Sequence, residues 1–262
     1  MKEIPFTRGP ARRPLQIAAE PLLQWATGLQ TKERQIYAGW LAEAGKHDDL
    51  DEAMHAARFP QVTIKHGNGA FVTHWAIEVA NLIVLAEGVQ SIGEMKHTED
   101  RYGIAFGWRA LEGGRQQSAL KVRVHLREVL AAGFDQPLTL TAKGTVTGDL
   151  IAAFTRQFEV LDALDAFRKL DQKPPANAPF YAFSIPIGPG DEVSRGSGSQ
   201  TKEISPPQAK LPAPITKAYM TEHWVPSAWL PFIEPRINEA VRWSAAMSKM
   251  IAIGAEQGEP DY

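Results

Sequence analysis

Along residues 116–127 apolar and cationic side chains take turns. Leu120, Val122, Val124 and Leu126 fall on one parity, and Lys121, Arg123, His125 and Arg127 fall on the other. Successive side chains of a strand point to opposite faces, so this stretch spells one strand with a core face and a cationic face. Residues 102–109 alternate as well, with Tyr102, Ile104, Phe106 and Trp108 against Gly103, Ala105, Gly107 and Arg109. Glu112-Gly113-Gly114 lies between the two runs, and the pattern predicts a hairpin. Its register decides which face the aromatics join, because a shift of one residue exchanges the faces. An even loop sets Trp108 and Phe106 beside Lys121 and Arg123. A three-residue loop with a bulge sets them in the core with Leu120 and Val122.

The same reading extends along the chain. Residues 1–14, rich in Pro and Arg, predict an irregular arm, and short helical or mixed segments are expected near 15–29 and 32–44. The acidic run Asp48-Asp49-Leu50-Asp51-Glu52 suits the first turn of a helix ending near Arg58. The runs 62–64 and 71–77 flank His66-Gly67-Asn68-Gly69 and predict a first hairpin; 81–87 predicts a buried strand. Leu138–Lys143 alternates again, and Glu94, Glu99 and Asp100 read as a solubilising loop. Thr147 is expected to cap one long helix over 148–170, where Ile151, Phe154, Phe158 and Leu161 recur at helical spacing. Strands are expected at 180–187 and 201–204, with a Gly/Ser loop over 188–200 between them. Helices are expected at 216–223 and 236–254, broken by Pro226, Pro231 and Pro235.

Helices and strands do not alternate regularly, which argues against a doubly wound sheet. The expected fold is α+β: a mostly antiparallel sheet or small OB-like β-barrel, with short N-terminal helices, one long inserted helix and a helical C-terminal tail. Residues 1–59 form the arm and short helices, 60–211 the β-rich core and 212–262 the tail, within one compact domain.

Composition narrows the chemistry. The chain has 262 residues, 44% hydrophobic and 22% charged, as in ordinary globular proteins. With no cysteine, thiolate metal sites, disulfides and a cysteine nucleophile are excluded. No apolar run is long enough for a signal peptide or a membrane span, so a cytoplasmic location without membrane contact is expected. The net charge of −2 means that any anion site is a local patch. One exists: residues 101–127 hold six Lys/Arg against one acidic residue, a net +5.

No catalytic residue, cofactor or metal site is expected. The seven histidines lack ligand spacing, and an opposed pairing about Asn68 would leave His66 and His74 apart. No Gly-x-Ser-x-Gly occurs, and the Gly/Ser loop lacks a Walker A ending. The candidate nucleic-acid contacts are Trp108, Arg109, Lys121, Arg123 and Arg127, with Arg195 and Lys202 reaching from the Gly/Ser loop. Cations would hold phosphates and aromatics would stack bases. Trp224, Trp229 and Phe232 in the Pro-interrupted tail are candidates for an oligomer interface. Ile237, Val241, Trp243 and Met247 describe an amphipathic helix that docks on the body or on a neighbour.

The layout resembles an uncharacterised family of bacterial proteins associated with plasmids and phages. The resemblance spans residues 60–225 and rests on Pro137-Leu138-Thr139-Leu140-Thr141-Ala142-Lys143-Gly144 before a helix. It continues with Pro179-Phe180-Tyr181-Ala182-Phe183, the Gly/Ser stretch and the helical end. By analogy, phage single-strand-binding proteins join a small β-barrel to added helices and a tail. The expected function is therefore binding of single-stranded nucleic acid, with recombination or replication of a mobile element as one setting for it. The alternative is a non-catalytic scaffold that forms a homo-oligomer through the aromatic tail.

Overall fold

The computed structural model describes residues 21–256 apart from 34, 67–68, 87–88, 93, 101–102, 110–117, 144 and 196–200. The expected N-terminal arm lies outside these. Residues near 22–43, expected as helical or mixed, are two strands, β1 (Leu22–Gln30) and β2 (Ile36–Glu43). Both faces of β2 carry apolar residues: Trp40 and Ala42 enter the main core, and Leu41 enters a smaller cluster on the other face. A strand buried on both sides reads as an unbroken apolar run, which periodicity cannot tell from a helix.

Helix α1 (Asp48–Ala56) follows, with Asp48, Asp49 and Asp51 in its first turn and Leu50, Ala53 and Met54 buried at helical spacing. Strands β3 (Gln61–Lys65) and β4 (Phe71–Ile77) form the expected hairpin. After β5 (Ala80–Val84) and β6 (Val89–Ile92), residues expected as a loop form β7 (Glu94–Asp100). β7 pairs with β8 (Gly103–Arg109), Met95 opposite Trp108 and Glu94 opposite Arg109. This overturns the expected hairpin between 102–109 and 116–127, because β8 belongs to a two-stranded sheet with β7.

Strand β9 (Ser118–Leu126) lies within the large sheet instead. It pairs with β10 (Leu138–Lys143) along one edge and with β5 and β6 in succession along the other. Helix α2 (Arg127–Ala131) begins where β9 ends. Two helices, α3 (Thr145–Thr155) and α4 (Gln157–Leu170), replace the single one expected, and Thr147 is buried inside α3 rather than capping it. The break falls where Gln157 turns inward, its Nε2 donating to the carbonyls of Phe180 and Phe183 at 3.2 and 2.9 Å. Then come β11 (Ile185–Pro189), β12 (Val193–Arg195), β13 (Lys202–Ile204), β14 (Pro207–Ala209), α5 (Lys217–His223) and α6 (Leu230–Glu256). Pro235, expected to break the tail, lies inside α6. As the sixth residue it lies beyond the first turn, so the helix continues there without the i→i−4 bond to the Pro231 carbonyl.

The large sheet has the order β14-β11-β5-β9-β10-β1-β2-β4-β3, with β6 beside β9. The β1–β10 pair is parallel and the other pairings within it are antiparallel. The path is open, so the fold is a mixed α/β assembly around a mostly antiparallel sheet, not a closed barrel. It bends over its core: Nε1 of Trp40 on β2 donates to the carbonyl of Ile187 on β11 at 2.8 Å. Leu120, Val122, Val124 and Leu126 join this core, as their parity predicts. The opposite face of β5 meets α2 and α6 through Ile83, Leu85, Leu130, Ile233 and Ala240. No described helix is long and apolar enough to cross a membrane.

Candidate nucleic-acid interface

The cationic parity of β9 faces the C-terminal segment. Trp229, Arg236 and Trp243 are spaced by seven residues; Arg236 and Trp243 share one face of α6, and Trp229 ends the 3₁₀ turn Ser227–Trp229 just before it. The guanidinium of Arg127 lies over the Trp229 ring, 5.4 Å from its centroid, and that of Arg123 lies over Trp243 at 4.8 Å. Between them His125 is fully buried, with Arg236, Asp135 and the Gln136 backbone about its ring. Burial, and secondarily the Arg236 charge, push its pKa down to about 4, so the imidazole is neutral at neutral pH.

Arg127 is the best-anchored cation. Its Nη1 donates to the Trp224 carbonyl at 3.0 Å and approaches Ser184 Oγ at 3.4 Å. Ser184 Oγ is also 3.2 Å from His223 Nδ1. Ser184 has no exposed surface, so this pair ties the residue just before β11 to the end of α5 and is not an accessible nucleophile. Beside it opens a small cleft of about 200 Å³ lined by Asn81, Arg127, Glu128, Ala131, Glu222 and His223. Asn81 Nδ2 donates to Glu128 Oε1 in this cleft. Burial raises the Glu128 pKa and lowers that of His223. In both cases burial disfavours the charged form.

The expected contact residues are only partly gathered. Arg123 and Arg127 share the α6 seam with Trp229, and Trp224 borders it with 43% of its surface exposed. Lys121 continues the same parity of β9, opposite Thr141 and Val89, and is half-buried. The side chains of Trp108 and Arg109 lie outside the described residues. Arg195 and Lys202 pair on a separate hairpin of β12 and β13. Arg195 makes an ion pair with Asp149 of α3 at 3.1 Å.

No family profile matches the sequence, and no characterised protein or solved structure is significantly similar to it.

Of the tail aromatics, Trp229 packs against the cluster beneath α6 and Trp224 stands edge-on to Phe183 with centroids 5.0 Å apart. Phe232 points outward, half exposed. Trp243 and Arg236 complete the seam but were absent from the expected contact set. Their spacing from Trp229 is the sequence signal that marks them. Among the described residues no group of three or more His, Asp or Glu is placed to hold a metal. His66 and His74, however, are not apart as expected. Their Nε2 atoms are 3.1 Å from each other.

Proposed function

We propose that the protein is a non-catalytic binder of single-stranded nucleic acid, with β9 and its seam with α6 as the contact surface. One observation carries this reading: the guanidinium groups on and just after β9 lie over indole rings, so cationic and aromatic groups share one seam. Arg127 and Lys121 hold phosphates along the seam, and the exposed part of Trp224 receives a base. Arg123 acts beside them, over the Trp243 ring. An OB-like mode of binding and a role in recombination or replication of a mobile element belong to the same proposal, by resemblance to the plasmid- and phage-associated family.

Fluorescence anisotropy with labelled single-stranded and duplex DNA at several salt concentrations tests it. Binding of the single strand should weaken as salt rises and should quench tryptophan emission. The double variant Lys121→Gln, Arg127→Gln should reduce the log–log salt slope by about 1.4, at about 0.7 for each phosphate no longer neutralised. Absence of binding at low salt, or an unchanged slope in a folded double variant, overturns the assignment.

A further inference from the structure

The β3–β4 hairpin brings two imidazoles into a geometry that its sequence does not suggest. His66 follows β3 and begins the turn. Its N–H bonds to the Ala70 carbonyl at 2.8 Å, and the Gly69 N–H bonds back to the His66 carbonyl at 2.9 Å. His74 lies on β4 opposite Val62. The two rings meet end to end, with Nε2 atoms 3.1 Å apart and centroids 5.4 Å apart. The nitrogens point at each other, which is the geometry of one N–H···N hydrogen bond and one shared proton. Burial assigns that proton. Nδ1 of His74 is buried and has no partner among the described residues. A buried N–H without an acceptor is avoided more strictly than a buried lone pair without a donor. His74 therefore carries its proton on Nε2 and donates to Nε2 of His66, whose own proton sits on Nδ1 of an exposed ring.

We propose that this pair is a proton-operated latch: with both rings neutral it pins the turn end of the β3–β4 hairpin, and protonation of His66 releases it. A protonated imidazole carries N–H groups on both nitrogens, so two donors would face each other across the 3.1 Å contact. His74 can then accept only by moving its proton to Nδ1, which has no acceptor. The other course is for His66, exposed at the turn, to swing into water. A further proton on His74 would set two cations side by side.

The surroundings do not cancel this effect. On the face that carries the pair, β2 supplies Glu43, directly opposite His74, and Tyr37 further along. Glu43 favours a charged His74, but its carboxylate is partly in solvent and pairs loosely with Lys46 at 3.6 Å. Burial keeps Tyr37 neutral. β1 brings Ala26 to that face, and β3 and β4 add Val62, Ile64, Val72 and Ala76, none of them charged. Lys65 takes the opposite parity of β3, and Lys32 and Glu33 stand exposed in the turn beside its outer edge. The balance makes His74 harder to protonate than a free imidazole, through burial first and then the His66 charge, against the pull of Glu43. The open hairpin therefore binds more protons than the closed one. The latch is closed above the ordinary imidazole value of about 6.5 and is lost as pH falls below it.

Amide hydrogen exchange of the full chain at about pH 7.5 and about pH 5, corrected for the intrinsic pH dependence of exchange, tests the latch. Protection over residues 61–77 should fall about tenfold or more in acid, while β9 and β10 keep theirs. His66→Ala, at an exposed turn position, should lose that pH dependence. His66→Gln should keep the hairpin protected at both values, because its amide oxygen accepts from His74 without titrating. Hairpin protection that does not change with pH in the native chain, that falls equally in His66→Ala, or that falls together with β9 and β10 would each overturn the proposal.

Discussion

At residue scale, two positions carry more than their size suggests. His125 is neutral in the fold because burial, then the Arg236 charge, disfavour its protonated form, against the weaker pull of Asp135 and the Gln136 backbone. Its folded pKa, about 4, lies below the unfolded value of about 6.5. The unfolded chain therefore binds more protons in that window, so stability should fall as pH drops from 6.5 towards 4. His125 alone should contribute up to about 3 kcal/mol to that fall. Burial lowers the pKa of His74 and His223 too, adding in the same direction, while Glu128, raised by burial, acts oppositely above its ordinary value. Urea unfolding of His125→Leu against the native chain over pH 4–7 isolates the contribution; parallel pH profiles would refute it. Gly39 is the other position. Its φ is +143°, and a Cβ there would stand 2.9 Å from the Ile77 carbonyl oxygen and 2.7 Å from Tyr37 Oη. Tyr37 Oη itself donates to the Trp40 carbonyl at 2.9 Å. Gly39→Ala should therefore cost about 2 kcal/mol or more, through backbone strain and overpacking, with a matching drop in Tm.

At the scale of elements, α6 decides what the cationic parity of β9 can reach. Adjacent positions on this helix should behave differently. Ile233 is 0% exposed in the cluster beneath α6, and Phe232 is 51% exposed. Ile233→Ala should cost about 2–4 kcal/mol in denaturant unfolding, whereas Phe232→Ala should stay within about 0.5 kcal/mol. A Phe232→Ala variant that dissociates a native oligomer by light scattering would instead support assembly through the tail. The elements legible from sequence were those with strong local signals. β9 and β10 alternate, the β3–β4 turn carries Gly67-Asn68-Gly69, and α1 opens on aspartates. β2 was illegible because both its faces are apolar. β7 was illegible because Glu94, Lys96, Glu99 and Asp100 look like loop residues. The cations of β9 were legible as a face, but their cover was not. Periodicity within β9 says nothing of which distant helix lies on it, and only the Trp229, Arg236, Trp243 spacing hints at a partner.

At the scale of the whole molecule, the open sheet is held in its bend by side chains that span it. An edge-to-edge barrel would have done this with backbone ladders. Here the indole of Trp40 donates from β2 to the Ile187 carbonyl of β11 at 2.8 Å, and Trp25 of β1 donates to the Ser205 carbonyl at 3.1 Å. The two rings meet edge to face with centroids 4.8 Å apart. Neither link could be read from the sequence, because the Trp40 donor and its acceptor are 147 positions apart. The two bonds should not be equal. Trp40 is fully buried, so Trp40→Phe removes a donor where water cannot replace it and leaves space in the core. Trp25 is only partly buried, so water can take over at Ser205. Trp40→Phe should accordingly lose about 1–3 kcal/mol for the missing bond alone, and more for the smaller ring. Trp25→Phe should lose less than half as much. Denaturant unfolding of both single variants, followed by far-ultraviolet circular dichroism, measures the difference. Equal losses would mean that the bend is held by the burial of both indoles, and that the Trp40–Ile187 bond adds nothing of its own.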